Sequence, residues 1–433
     1  MQAHVETLVA DEPLIDQPAQ PGRRPWWASG GYGRLLLGQS VSVVGSQVTF
    51  LALPLIAVLT LQATPGAMGL LGALDNLPYL LIGLWVGVFV DRHARRRLMV
   101  LSDLLRAVAV VSVPIAALGG WLSFAQLCVV AFIVGFGNIV FDVACQAQLP
   151  ELVDRDQLVA ANGALQMSAS LSMVGAPGLV GLLIKAIGAP LAILIDAASY
   201  VVSAVSIGSI REPEKARPSE EGSTWAQVVE GLKLVSDDSR LVGIAGGAAM
   251  LSLAMNAAFA VLMFYLANRL GLDAGVIGLV FLAFGVGGAV GAAAISPIAA
   301  RFGTGRVLTG APLVGAAGLA SFTVAAESGL PAPAMLTAIF CGSVVMGVGL
   351  VGFSVLASGV RQLLAPIQAR GRVLGTLRFL EWGSMPLGSV IGGVVGEVFG
   401  AAPAILASAV LLAGAAAWII ATPLRGLREL PDE

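Results

Sequence analysis

Charge is scarce in this chain. Of its 433 residues only 12% are Asp, Glu, Lys or Arg, against 57% hydrophobic, and mean hydropathy is +0.89. That is too little polar surface for a water-soluble fold, so the chain reads as a polytopic membrane protein. Histidine is nearly missing, with His4 and His93 the two present. A histidine relay inside the membrane is therefore excluded, and any proton carrier must be a carboxylate. Lysine occurs only at Lys185, Lys215 and Lys233. None sits in the G-x-x-x-x-G-K-[ST] setting that cradles nucleotide phosphates, which closes that route to ATP-driven work. Cys128, Cys145 and Cys341 lie in separate apolar runs without metal-ligand spacing and are expected to fill the core. A net charge of −2 gives no sign of a nucleic-acid partner. No cluster of His, Cys or acids suits an enzyme, no metal set or cofactor is implied, and the loops are too short for a receptor's soluble domain. Gly347-x-Gly349-x-x-Gly352 matches the dinucleotide glycine pattern, but it lies in an apolar run with no strand before it and reads as helix packing.

What is there is a series of apolar runs, each long enough to cross about 30 Å of hydrocarbon. Six lie at 35–61, 67–90, 98–119, 122–149, 163–187 and 190–210. Six more follow at 241–267, 274–300, 307–326, 333–360, 373–398 and 402–422. If the N-terminus is cytoplasmic, 22 of the 24 lysines and arginines fall on or near that side, Lys185 and Arg269 being the exceptions. That bias fits an even number of crossings with both termini inside. No apolar segment begins near Met1, so a cleaved signal peptide is not expected. The resulting plan is all-α: a disordered cytoplasmic tail over 1–32, a six-helix bundle over 33–210, a linker over 211–240, a second six-helix bundle over 241–422 and a tail over 423–433. The N-terminal tail turns basic at Arg23 and Arg24 before an interfacial anchor at Trp26 and Trp27. Within the linker, Thr224-x-x-Gln227 suits the cap of a helix whose Trp225, Val228, Val229, Leu232 and Val235 share one face, expected on the membrane surface.

The loop between the second and third runs carries four arginines and one acid in seven residues, 91–97. Its spacing, Gly87-x3-Asp91-Arg92-x2-Arg95-Arg96, resembles the loop between helices 2 and 3 of the major facilitator superfamily, with Ala94 in place of that motif's second glycine. On residues alone it fits either a gate or a loop that merely fixes orientation. Further stretches resemble the drug and siderophore exporter branch of that superfamily, which includes macrolide-efflux and enterobactin-export proteins. They are PELVDRDQLVAANGAL at 150–165, DAASYVVSA at 196–204, IREPE at 210–214, LGLDAGVIGLVFLAFGVGGAVGA at 270–292 and GRVLGTLRFLEWGSMPLGSVIGG at 371–393. The resemblance implies twelve transmembrane helices in two six-helix bundles around a central cavity. Ala176-Pro177-Gly178 with Gly181 resembles part of the exporters' antiporter motif, and a kinked packing helix accounts for it equally.

Charges inside the runs are the candidate sites. A carboxylate at mid-membrane costs about 3 kcal/mol, while a large apolar residue returns about 0.3–0.6, so Asp142 cancels about six neighbours and needs a cavity or partner. It ranks first as a proton carrier, ahead of Asp75 and Glu381. Asn138, Asp142, Cys145 and Gln146 form one polar stripe. Asp103 and Arg106, three apart, are expected to join the loop residues in a gating network. Asp196 is expected to orient its helix through a neighbour. Arg378, Glu381 and Trp382 share a face, where Arg378 and Glu381 can pair with each other. Gln39, Gln47, Asn256, Ser354 and Ser358 are the further polar candidates for a cavity lining. Such a sparse set favours an amphipathic or hydrophobic solute over a sugar. Gly83 and Gly87, Gly175 to Gly181, Gly287 and Gly291, and Gly388, Gly392, Gly396 and Gly400 are expected to form the sliding contact between halves. The reading is a secondary active exporter in the cell membrane, a monomer whose partners are its small-molecule substrate, protons and lipid. A proton-coupled importer or a uniporter is the alternative.

Overall fold

Five positions set where long apolar helices start and stop in the computed structural model, which describes residues 30–83, 85–211, 224–366 and 369–426. Thr64, Ser123 and Asp273 each accept a backbone N–H as helix caps, and Pro65 sits in the first turn behind Thr64. Gly188 and Gly400 adopt φ of +84° and +97°, so each turns the chain between two helices in a single residue that a side chain would strain. The first half comprises α1 (Gly30–Leu55), α2 (Pro65–Ile82), α3 (Val86–Asp91), α4 (Arg95–Gly119), α5 (Phe124–Leu152), α6 (Leu158–Ile187) and α7 (Ala189–Gly208). After the linker helix α8 (Thr224–Asp237) come α9 (Ser239–Phe264), α10 (Ala274–Phe302), α11 (Thr304–Glu327), α12 (Ala332–Leu364), α13 (Arg370–Phe399) and α14 (Ala401–Ile420). Both α1 and α9 end in a wider π turn, Ile56–Thr60 and Tyr265–Arg269.

The halves are copies. In the first, α1 packs on α6 and α7, α4 on α5 and α7, and α2 on α5; in the second, α9 packs on α13 and α14, α11 on α12 and α14, and α10 on α12. The two large contacts between halves, α2 with α13 and α6 with α10, are images of each other under the same correspondence. Ten helices, counting the π turns with α1 and α9, are long and apolar enough to cross a membrane. The other two spans are α13 and α2 with α3, which hold Arg378 and Glu381, and Asp75 and Asn76. Their polar residues turn toward the space between the halves, while Leu387, Val394 and Val398 of α13 stay exposed on the outside.

Several expectations need correcting. The second run is not one helix: α2 ends at Ile82 and α3 begins at Val86. Ala94, in place of the motif's second glycine, is the extended residue just before α4, leaving only Arg92–Ala94 as loop. The glycine seam holds only in part, at Gly178, Gly181 and Gly396, which meet Leu282, Gly278 and Pro65 of the other half. A Cβ on Gly69 or Gly393 would strike the other, as would one on Gly181 or Gly278, and these pairs lie in the two contacts between halves. Gly287 and Gly291 instead abut Val344 and Val348 of α12, and Gly388 and Gly392 abut Leu253 and Ala257 of α9, all within one half. Nothing lies within 4 Å of a Cβ on Gly87 or Gly175. Gly347, Gly349 and Gly352 do serve helix packing, against α10 and α11. Cys128 and Cys145 are buried, but Cys341 faces outward.

The linker helix lies across the ends of the second half's helices. Val235 is buried with Leu241, Ala245, Ala365, Val373 and Leu377, while Val229 and Leu232 of the expected stripe point outward. Glu230 forms an ion pair with Arg372 of α13. The N-terminal tail with its tryptophans, the charged part of the linker, the capping of α8 and the last seven residues lie outside the described residues.

Candidate functional site: the cavities between the halves

One end of the molecule is shut. Besides the two glycine contacts, Glu397 of α13 accepts a hydrogen bond from the Gly66 amide, 2.8 Å away at the start of α2. Lys185 at the end of α6 lies 3.1 Å from Asp273, which also caps α10 by accepting from the Gly275 and Val276 amides. The bond from Lys185 holds the Asp273 carboxyl below the usual carboxylate range.

Behind this closure lies a cavity of about 420 Å³ built from both halves. Its walls are apolar and aromatic: Phe259 stands 6.0 Å from Phe281 and 6.3 Å from Phe284, and Phe50 from the first half meets Phe281 edge-on at 5.7 Å. Gln47, Asp75, Asn76, Asn138, Pro177 and Asn256 also line it. Toward the linker end, Tyr79 of α2, one turn beyond Asp75, meets Trp382 of α13 edge-on at 5.3 Å. Past that contact are two adjoining spaces of about 290 and 320 Å³, which share Asp142, Gln146, Arg378 and Trp382. They form a polar vestibule.

The structure thus divides the expected polar residues between two chambers. Asn138, Asn256, Gln47 and Asp75 join the main cavity; Asp142, Gln146, Arg378, Glu381, Trp382, Ser354 and Ser358 join the vestibule. Gln39 reaches neither, and its side-chain oxygen is buried without a partner. Cys145 turns from the stripe into the core of the first half. Glu381 pairs with Arg361 of α12 at 2.6 Å rather than with Arg378, whose guanidinium lies 5.9 Å from the Trp382 ring. Asp75 and Asp142 have no ion-pair partner among the described residues.

The expected gating network splits in two. At the loop, Arg95 lies 3.5 Å from Asp91, is 2.5 Å from Glu151 and donates to the Ala147 carbonyl, fastening α4 to α5; Arg96 donates to the Ile210 carbonyl past α7. Arg92 is exposed. Asp103 and Arg106 lie deeper, paired and buried, and Arg106 also donates to Asn138 Oδ1 at 2.6 Å. Asp196 accepts from Thr49 and Ser199, tying α7 to α1.

Ala176, Pro177, Gly178 and Gly181 lie on or beside the α6–α10 contact, with Gly178 against Leu282 and the Pro177 carbonyl against Gly278. Sequence reasoning missed Arg361, Glu151, the Lys185–Asp273 pair and the phenylalanine wall. The wall had a signal: Phe50 follows Gln47 by three, and Phe281 and Phe284 are three apart, which places each pair on one helix face.

Comparison with known proteins agrees with this architecture. The family model described as transmembrane secretion effector matches residues 33–431. The chain is 29% identical to the multidrug efflux pump Tap of Mycolicibacterium fortuitum over 414 residues, covering 92% of this chain and 96% of that one. It is 32% identical to macrolide efflux protein A of Streptococcus pyogenes over 179 residues, 41% of this chain and 44% of the other. Among solved structures, an inward-facing bacterial homologue of the iron transporter ferroportin superposes with a TM-score of 0.69 at 18% identity, covering 89% and 98% of the two chains. The chain belongs to the transmembrane secretion effector family, a group of multi-pass membrane transporters of the major facilitator superfamily.

Proposed function

We propose that the protein exports an amphipathic or hydrophobic organic solute, of the kind handled by drug and macrolide efflux pumps, by proton antiport and alternating access. The observation that carries this reading is the pairing of a closed end with an unpaired Asp142 in the vestibule at the other end. An acid held between two helical halves with no cation at ion-pair distance among the described residues, though Arg378 lines the same space, is suited to exchanging protons or facing water, and both fit a coupling site. Glu381 is engaged by Arg361, which leaves Asp142 as first candidate and Asp75 as second.

The arginine-rich end is cytoplasmic, because cationic residues are retained there. Solute enters the vestibule from that side, passes the Tyr79–Trp382 contact and settles among the phenylalanines. Rocking of the halves about the α2–α13 and α6–α10 contacts then opens the closed end and shuts the vestibule. Antiport requires that solute release outward and proton entry share this cycle, and protonated Asp142 brings the empty carrier back. The protein works in the plasma membrane as a monomer.

The test is uptake into inverted membrane vesicles of lipophilic dyes and macrolides, with and without an imposed proton gradient. Gradient-dependent accumulation above equilibrium is expected. Accumulation that only equilibrates would identify a uniporter, and uptake into right-side-out vesicles driven by the gradient would identify an importer.

A further inference from the structure

The main cavity has a lopsided chemistry. Asp75 is the one charged side chain among the described residues that line it, and no lysine or arginine faces it. Arg106, which reaches this wall from behind, is already paired with Asp103 and bonded to Asn138. Two of the carboxamides are biased as well, whereas Asn138 gives its Oδ1 to Arg106 and keeps its N–H donors. Asn76 and Asn256 each spend an N–H on their own helix, on the Gly72 and Ser252 carbonyls at 2.9 Å, so each Oδ1 remains an acceptor without a protein donor. Opposite the acid, Phe259, Phe281 and Phe284 of the second half and Phe50 of the first supply ring faces. A carboxylate, two open carbonyl oxygens and a wall of π-faces all attract the same group: a cation that carries N–H donors.

We infer that the main cavity selects protonated amines, with the ammonium seated against Asp75 and the apolar body of the solute against the phenylalanine wall. The inference deepens the exporter reading by naming the substrate class, and it rests on that reading for the cavity's role in transport. It also explains how one solute engages both halves: the acid belongs to the first half and three of the four rings to the second, so the bound molecule bridges surfaces that must separate when the closed end opens.

The experiment is equilibrium binding to the full-length protein in lipid nanodiscs, read by the fluorescence of dansylcadaverine and of its N-acetyl derivative. The two share ring system and chain, but only the first is a cation at neutral pH. The amine should bind about 30-fold more tightly, the preference expected of a charge-assisted hydrogen bond from the ammonium to the Asp75 carboxylate. Asp75→Asn should bring the amine down to the affinity of the acetylated compound and leave the latter unchanged, while Asp75→Glu should retain the preference. Equal affinity of the two compounds for the wild-type protein would overturn the inference without any variant, and so would an Asp75→Asn protein that still prefers the amine. Because binding needs neither gradient nor direction, the two readings fail separately. Amine-selective binding without gradient-driven accumulation in vesicles would sink the exporter reading alone; accumulation of both compounds alike would sink this one alone.

Discussion

A buried guanidinium needs a countercharge and a partner for each donor, and Arg106 finds them in Asp103, Asn138 and the Ser102 carbonyl, with the rings of Phe141 and Tyr200 at 4.8 and 4.4 Å. Removing one member strands the other charge. Arg106→Ala should therefore cost about 3–5 kcal/mol, read as a lowered melting temperature of the purified protein, whereas replacing Arg106 and Asp103 together by leucine should recover most of it. Asp142 makes no comparable bond, so Asp142→Asn should leave melting temperature and detergent monodispersity near the wild-type values while abolishing gradient-driven accumulation. Normal uphill transport by that variant would move the proton role to Asp75. At this scale the sequence was half legible. The intramembrane acids could be found because each opposes the hydrophobic tide around it, and the Asp103–Arg106 pair because three residues bring side chains together on a helix. The Glu381–Arg361 pair was hidden, since its partners lie on different helices and only tertiary packing decides between Arg361 and Arg378.

Helices meet across the halves through small residues, and one position along α13 separates two consequences. Gly393 abuts Gly69 of the other half, whereas Gly392 abuts Ala257 of its own. Gly393→Leu should hold the closed end apart, speeding labelling of a cysteine placed by Met68→Cys from that side with little loss of folded protein. Gly392→Leu should wedge α13 from α9 and lower yield instead. Equal behaviour of the two variants would contradict this division. The ion pair at the closed end is a minor latch: Lys185 and Asp273 are 58% and 47% exposed, so the pair contributes at most about 1 kcal/mol. Asp273 titrates below its ordinary value, so its contribution is present above about pH 4 and is lost only as pH falls through the depressed value. Labelling of the Met68→Cys protein, taken at each pH relative to a free cysteine peptide because the thiolate is the reacting form, should accordingly be flat from about pH 5 to 8 in the presence or absence of Asp273→Asn. The helices themselves were readable from run length and turn residues. Which glycine on a helix faces which neighbour was not, because a glycine-rich helix offers small residues on several faces and the neighbours' backbones choose among them.

For the whole molecule, the legible part was the count and the repeat: long apolar runs, a charged linker and the arginine-rich loop led to twelve spans in two halves. The break in the second span was not legible, since Leu81 to Val90 is as apolar as a continuous helix would be. Nor was the division into an aromatic cavity and a polar vestibule, which arises from how α2, α5 and α13 cross. In the proposed cycle that division gives solute and proton separate places to bind, and the cycle requires coupling between them. The measurement that meets it most directly is proton flux in proteoliposomes of the purified protein, with a pH-sensitive dye inside and a transported amine added outside as the sole driving gradient. Downhill amine movement should drive protons the opposite way, and Asp142→Asn should lose this counterflow while still binding the amine. Amine movement with no proton movement in the wild-type protein would contradict this coupling.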